Sequence, residues 1–247
     1  KNSNLKVGKN LYLAYCPERT AEGQAIYELK NLPQIVGGFC QRSTELASRF
    51  FNEYTHTIID VEDLESSEMC KLLDNTYRDT IFAYSNQMAT LSEKIGLNLP
   101  SLVEKVNIGY KRNKIPKPSP GVGGPCLSKD PYILNYNFQK SGIKAEVSLS
   151  ARKINENMIK NMFSKIEKYL KNTKKNKKNT KIFILGMAFK GDPQTSDIRG
   201  SSSIDLLKIL KKNNYKKVSL HDPIVNQSLE FGYKFMGLNQ GFKNADI

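Results

Sequence analysis

Residues 121–130 read Gly-Val-Gly-Gly-Pro-Cys-Leu-Ser-Lys-Asp, the densest grouping of a thiol, a charge pair and permissive backbone in the 247-residue chain. A thiolate attacks carbon, and a cation such as Lys129 close to Cys126 favours that form. A carboxylate such as Asp130, a few residues on, can orient water or move a proton. The three glycines before Cys126 let a ligand approach the main chain on its way to the sulfur. Taken alone, the same residues equally fit a glycine turn opening a helix, with Cys126 a small buried hydrophobe and Lys129 and Asp130 solvated charges. A second set is Lys71 and Asn75, whose i,i+4 spacing sets an ammonium and an amide on one helix face, as an oxyanion site requires. A surface lysine with an asparagine one turn later gives the same pattern. A third is the polar segment 16–23, Cys-Pro-Glu-Arg-Thr-Ala-Glu-Gly, with carboxylates at Glu18 and Glu22.

These residues need elements to hold them. A short apolar strand at 11–14 leads into the Glu18 segment, and strand followed by polar loop is where α/β proteins place ligand contacts. A strand at 35–38, an amphipathic helix at 43–54 capped by Ser43, and a strand at 57–61 read as the tail of an α/β unit. No Pro or Gly interrupts 64–95, where apolar residues recur at helical spacing on more than one stripe; this predicts one long helix bearing Lys71 and Asn75. A helix at 100–106, a basic proline-rich loop at 110–120 carrying Arg112, and helices at 131–140 and 147–170 complete a mostly helical middle. The Lys/Asn run 171–178 reads as a solvated linker. Beyond it, a buried strand ending at Gly186, a helix at 201–210 and a strand at 218–220 form a βαβ opening, with 186–191 as a phosphate-facing loop. The fold class is therefore α/β: a partial Rossmann-like domain at 1–63, a central helical domain with one long helix at 64–174, and a partial second Rossmann-like nucleotide-binding domain at 175–247.

Composition narrows the function. At 39% hydrophobic the chain has enough apolar residues for a core. No apolar run is long enough to span a bilayer, and residues 1–6 lack the apolar core of a signal peptide, so no membrane partner and no export are expected. Cys16, Cys40, Cys70 and Cys126 stand far apart without CxxC spacing, which points to reduced thiols in a cytoplasm and to no metal site. The formal charge of +14 calls for anionic partners. Nucleic acid is the weaker choice, since no aromatic-interleaved basic motif accompanies the lysines; a phosphorylated small molecule satisfies the same charge.

Four segments in order, CPERTAEG, EMCKLLDN, GVGGPCLSKDP and ILGMAFKGDPQTSDIRGSS, resemble the UDP-glucose/GDP-mannose dehydrogenase family of NAD-dependent nucleotide-sugar 6-dehydrogenases. The likeness runs over nearly the whole chain. It implies an N-terminal NAD-binding Rossmann domain, a helical centre and a C-terminal UDP-binding domain, of which this chain would hold the end of the first, all of the second and the start of the third. Turnover would then need the remainder. The resemblance makes Cys126 the nucleophile, Asp130 the carboxylate that activates water, Lys71 and Asn75 the oxyanion donors, and Glu18 an acid/base or water-orienting group. It places Glu22, Arg112, Gly123, Gly124, Leu127 and Lys190 at the substrate, with Arg112 in some relatives crossing a subunit boundary. Lys129 and Arg199 would contact NAD, although the spacing from Lys190 to Arg199 is slightly longer than in the UDP-glucose enzymes. CPERTAEG and GPCLSKDPY look more like the UDP-N-acetylhexosamine branch, with UDP-N-acetylmannosamine or UDP-N-acetylglucosamine as substrate, product for surface polysaccharide, and a homodimer or higher homo-oligomer. UDP-glucose or GDP-mannose oxidation is the runner-up. A non-catalytic nucleotide-sugar binder is the alternative of another class.

Overall fold

The computed structural model describes residues 4–225 and 232–247. It divides into two compact units, Lys1–Asn75 and Thr76–Ile247.

In the first unit, β1 (Ala14–Tyr15), β2 (Gln34–Gly38) and β3 (Ile58–Asp60) form a sheet in that order. β2 runs parallel to β3 and antiparallel to β1. The parallel pair is joined by α2 (Gln41–Phe51), the expected strand-helix-strand. Gly37 and Gly38 let β2 pack tightly on its neighbours: a Cβ at Gly37 would fall 1.9 Å from the Asp63 carbonyl oxygen, and one at Gly38 2.3 Å from Thr44 Oγ1. Three local expectations are corrected. The first strand lies later than 11–14, because Leu11 turns back to bridge Val7 and the pairing with β2 begins at Ala14. Ser43 does not cap α2; Cys40 holds the N-cap position, and the buried Ser43 hydroxyl instead accepts the Leu13 N–H at 3.3 Å. The polar segment after β1 is followed by an unexpected helix, α1 (Ala25–Asn31), which buries none of its residues and leaves Ile26, Tyr27 and Leu29 exposed.

The division between the units falls within α3 (Leu64–Lys94), a single continuous helix as expected. The second unit continues with α4 (Leu99–Val106), α5 (Asp130–Gln139) and α6 (Glu146–Thr173). β4 (Lys181–Leu185), α7 (Ser202–Lys212) and β5 (Lys217–His221) then form the parallel βαβ unit, to which β6 (Lys234–Phe235) adds a third parallel strand before α8 (Leu238–Asn244). Its apolar core gathers Ile182, Ile184, Leu207, Leu210, Val218 and Leu220 with the end of α6. The Lys/Asn run is not a free linker. α6 carries on to Thr173, Lys174 caps it in the left-handed region, and the Asn176 carbonyl accepts N–H groups of Asn179 and of the buried Thr180. Lys177 pairs with Glu167 at 2.7 Å and Lys175 with Asp246 at 2.6 Å, so part of the positive charge is spent within the fold.

Candidate active site

Cys126 lies half-buried in a turn that opens α5. Its carbonyl accepts the N–H groups of Lys129 at 3.2 Å and Asp130 at 3.0 Å, and the Ser128 hydroxyl donates to the Gly124 carbonyl at 2.8 Å. Asp130, the first residue of α5, is 1% exposed and ion-paired with its neighbour Lys129. The glycine turn leading into a helix is present, but Asp130 is buried where that reading had a solvated charge, and Cys126 is half-buried and not a core hydrophobe. The glycines are needed for packing as well as for access. Gly124 has φ +92°, and a Cβ there would fall 2.7 Å from the Phe189 ring. A Cβ at Gly123 would lie 2.0 Å from the Gly200 carbonyl oxygen. The thiol loop therefore rests directly on the loop that joins β4 to α7.

That loop carries Lys190 and Arg199. The Lys190 ammonium lies 5.7 Å from the centroid of the Phe189 ring, and Arg199 pairs with Asp197 at 2.7 Å while most of its side chain stays in solvent. Of residues 186–191, expected to face phosphate, all but the buried Met187 line a cleft of about 290 Å³ with Ser119, Gly121, Ser202, Ser203 and Asp222. Asp222 ties the loop after β4 to the loop after β5: its carboxylate accepts the N–H groups of Met187, Ala188, Ile224 and Val225 at 2.7–3.2 Å. Burial opposes its charge, but those four bonds win and hold its pKa below the usual carboxylate range.

In the first unit, α3 brings Lys71 to the Glu18 segment. The Lys71 ammonium donates to the Glu18 carbonyl and stands 4.0 Å from the Glu18 carboxylate. That carboxylate also accepts from the Thr20 N–H and hydroxyl. Arg19 pairs with Asp74 at 2.9 Å, a second tie from the same loop to α3. Asn75 is half-buried one turn beyond Lys71, while Glu22 is exposed. Arg112, also exposed, has its guanidinium 5.9 Å from the Tyr110 ring. Leu127 is buried beside Cys126. The structure thus joins Glu18 with Lys71, and Cys126 with Lys129 and Asp130; the meeting of these two sets in one site belongs to the proposal.

Sequence reasoning missed a buried polar network behind the thiol. On α3 the buried residues of the second unit include Thr76, Asp79, Ala83, Ser85 and Asn86, and on α6 they begin with Ala151, Arg152 and Asn155. Arg152 Nη1 donates to Asp79 Oδ1 at 2.9 Å and to the Leu127 carbonyl at 3.0 Å, and Nη2 donates to the Val122 carbonyl at 2.8 Å. Asn155 Nδ2 donates to the same Asp79 oxygen at 2.8 Å, and Asn86 Nδ2 donates to Asn155 Oδ1 at 3.0 Å. Asn86 Oδ1 in turn accepts the Ser119 N–H at 2.7 Å. Burial pushes the Asp79 carboxyl up from its ordinary range, with Arg152 and Asn155 offsetting part of that shift. The available signal was the helical spacing of polar residues in helix interiors, i,i+7 for Asp79 with Asn86 and i,i+3 for Arg152 with Asn155, where a core stripe calls for hydrocarbon.

The chain belongs to the UDP-glucose/GDP-mannose dehydrogenase family: residues 65–157 match its central domain and residues 183–247 its UDP binding domain. Among relatives, the UDP-N-acetyl-D-mannosamine dehydrogenase of Methanococcus aeolicus is 32% identical over 97% of this chain and 52% of its own length. The enzyme of the same name from Campylobacter jejuni is 30% identical over 96% of this chain and 57% of its own. The solved UDP-D-ManNAc dehydrogenase of Pyrococcus horikoshii superposes with a TM-score of 0.81 at 31% identity, covering 90% of this chain and 51% of that one. An NDP-N-acetyl-D-galactosaminuronic acid dehydrogenase from Methanosarcina mazei gives 0.83 at 28% identity, over 99% of this chain and 53% of that one. The chain spans about half the length of the curated relatives it matches. Among the described residues no helix is long and apolar enough to cross a membrane.

Proposed function

We propose that the whole protein is an NAD-dependent 6-dehydrogenase that oxidises a UDP-N-acetylhexosamine to the uronate in the cytoplasm, supplying surface polysaccharide synthesis. UDP-N-acetylmannosamine is the preferred substrate, in line with the relatives' names. The observation that carries the reading is the half-buried Cys126 in a glycine loop beside the buried Asp130, within a matched central domain.

Lys129 and Arg199 are cations with exposed side chains, a donor type that fits the pyrophosphate of a dinucleotide. No glycine-rich dinucleotide fingerprint occurs in the chain, so these two are the contacts it would contribute. NAD⁺, when bound, supplies the hydride acceptor for both oxidations at C6. The chain's own residues do the rest. Cys126 Sγ adds to the C6 aldehyde, forming an S–C bond while its proton passes to the carbonyl oxygen. Loss of the C6 hydride and of the hydroxyl proton turns this thiohemiacetal into a thioester. Water then attacks, Asp130 takes its proton, the C–S bond breaks and the thiol is restored. Lys71 and Asn75 donate to the oxygen that becomes negative at each tetrahedral stage, and Glu18 orients water. Glu22, Arg112, Lys190 and the backbone at Gly123, Gly124 and Leu127 hold the sugar nucleotide, with the cleft at residues 186–191 receiving its phosphates.

Assembly as a homodimer is part of the proposal. Leu73, Tyr77, Tyr84 and Leu91 of α3 are each more than half exposed, an apolar face suited to a second copy. Pairing an Arg112→Ala subunit with a Cys126→Ser subunit should restore part of the activity if Arg112 serves the neighbour's site; no recovery in a proven mixed dimer refutes that sharing. The function itself is tested by incubating the full-length protein with a panel of nucleotide sugars and NAD⁺. About two NADH per uronate is expected from the four-electron chemistry, highest for UDP-N-acetylmannosamine. Tight UDP-sugar binding with no NADH would favour the non-catalytic binder, and best turnover of UDP-glucose or GDP-mannose would move the substrate assignment.

A further inference from the structure

We propose that Arg152 is a positioning residue for the reaction, setting where Cys126 sits by gripping the main chain on both sides of it; this rests on Cys126 being the nucleophile. The side chain is 2% exposed and donates to the carbonyls of Val122 and Leu127, which bracket Gly123, Gly124 and Cys126. Neither carbonyl belongs to a helix or strand, so the loop has no ladder of its own to fix it at these points. The guanidinium is itself held from α3 by Asp79, and the chain Asp79, Asn155, Asn86 continues to the Ser119 N–H. One network thus pins the loop at residues 119, 122 and 127.

Packing alone does not call for this arrangement. A buried ion pair replaced by hydrocarbon of similar volume commonly leaves a fold as stable as before, so the pair is better explained by what it orients. Orientation is also what a forked donor supplies and an ammonium does not: two carbonyls and a carboxylate are met at once by one planar group. The catalytic consequence is distance. A nucleophile displaced by about 1 Å from its line of attack loses on the order of 100-fold in rate.

The test uses the full-length enzyme in two variants, Arg152→Lys and the double Asp79→Leu/Arg152→Met. The double variant removes the pair without leaving a lone buried charge, which keeps the fold, but it also removes both grips on the loop. Each is expected to lower kcat about 100-fold with KM for the nucleotide sugar within about 3-fold. In the free enzyme, iodoacetamide modification of Cys126, resolved by peptide mass, should change in rate several-fold while Cys40 in the first unit serves as the unchanged reference. A folded double variant with wild-type kcat and Cys126 reactivity overturns the proposal. So does failure of both variants to fold, which would make Arg152 a folding residue, or an equal change at Cys126 and Cys40. Cys126→Ser keeping wild-type uronate formation would sink the nucleophile reading separately, because the modification rate reports loop placement whatever the chemistry.

Discussion

The β4–β6 sheet and the inward stripes of α3 and α6 are both shut off from water, one by Ile182, Leu210 and Leu220 and the other by Asp79, Arg152 and Asn155. Hydrocarbon holds elements together without caring where each atom lies to a few tenths of an ångström, and volume-conserving exchanges are tolerated. Hydrogen-bonded groups demand direction, and each one left unpaired costs about 1–3 kcal/mol. The sheet therefore supplies stability and the helix pair supplies placement. The proposed nucleophile is attached to the second.

The sharpest break would come at Cys126. Changing it to Ser should abolish uronate formation while leaving the melting temperature and substrate binding in place, since a hydroxyl is a far poorer nucleophile at neutral pH. Uronate at the wild-type rate would remove the chemistry from this side of the comparison. Next in size is Leu220→Ala in the sheet, fully buried in the wild type. Denaturant unfolding should show a loss of about 2–5 kcal/mol with kcat per folded molecule unchanged, and a fall in kcat would mean that the sheet also sets site geometry. Lys71→Ala, on α3 before the polar stripe, should lower kcat by about 100-fold or more and move KM little, as expected for a transition-state donor. If KM alone rises, Lys71 binds sugar or braces the Glu18 loop.

The smallest effect concerns pH. Asp222 has its pKa held below the unfolded value by its four backbone bonds. Its contribution to stability is present above the unfolded pKa of about 3.9 and is lost as pH falls through the lower folded value. Asp222→Asn should therefore cost about 1 kcal/mol near neutrality, and the gap from wild type should close in thermal melts below about pH 4. A gap that stays constant with pH would show that shape, not charge, matters there.

Much of this was readable beforehand, for identifiable reasons. The 64–95 helix and the 181–186 strand announced themselves because one lacks Pro and Gly for its whole length and the other is a run of buried β-formers. The Cys126 loop stood out by residue type. Directional polar contacts across elements leave no such trace. Asp79 and Arg152 lie far apart in the chain, and each alone reads as a surface charge; only the fold brings them to 2.9 Å. Conversely, Ser43 looked like a cap because of its type, but its hydroxyl accepts the Leu13 N–H ahead of β1 instead. The Lys/Asn run looked solvated because it is charged, although Glu167 and Asp246 supply partners from other elements.

The contact of Gly123 with Gly200, and of Gly124 with the Phe189 ring, bears on how such enzymes can be recombined. Backbone meets backbone there with no room for a single carbon, so the thiol loop and the first turns of the UDP-binding sheet form one interlocking part. A chimaera that takes its sugar-nucleotide module from a relative cannot be cut between them. The crossover has to fall before residue 119, so that loop, α6 and sheet are inherited together.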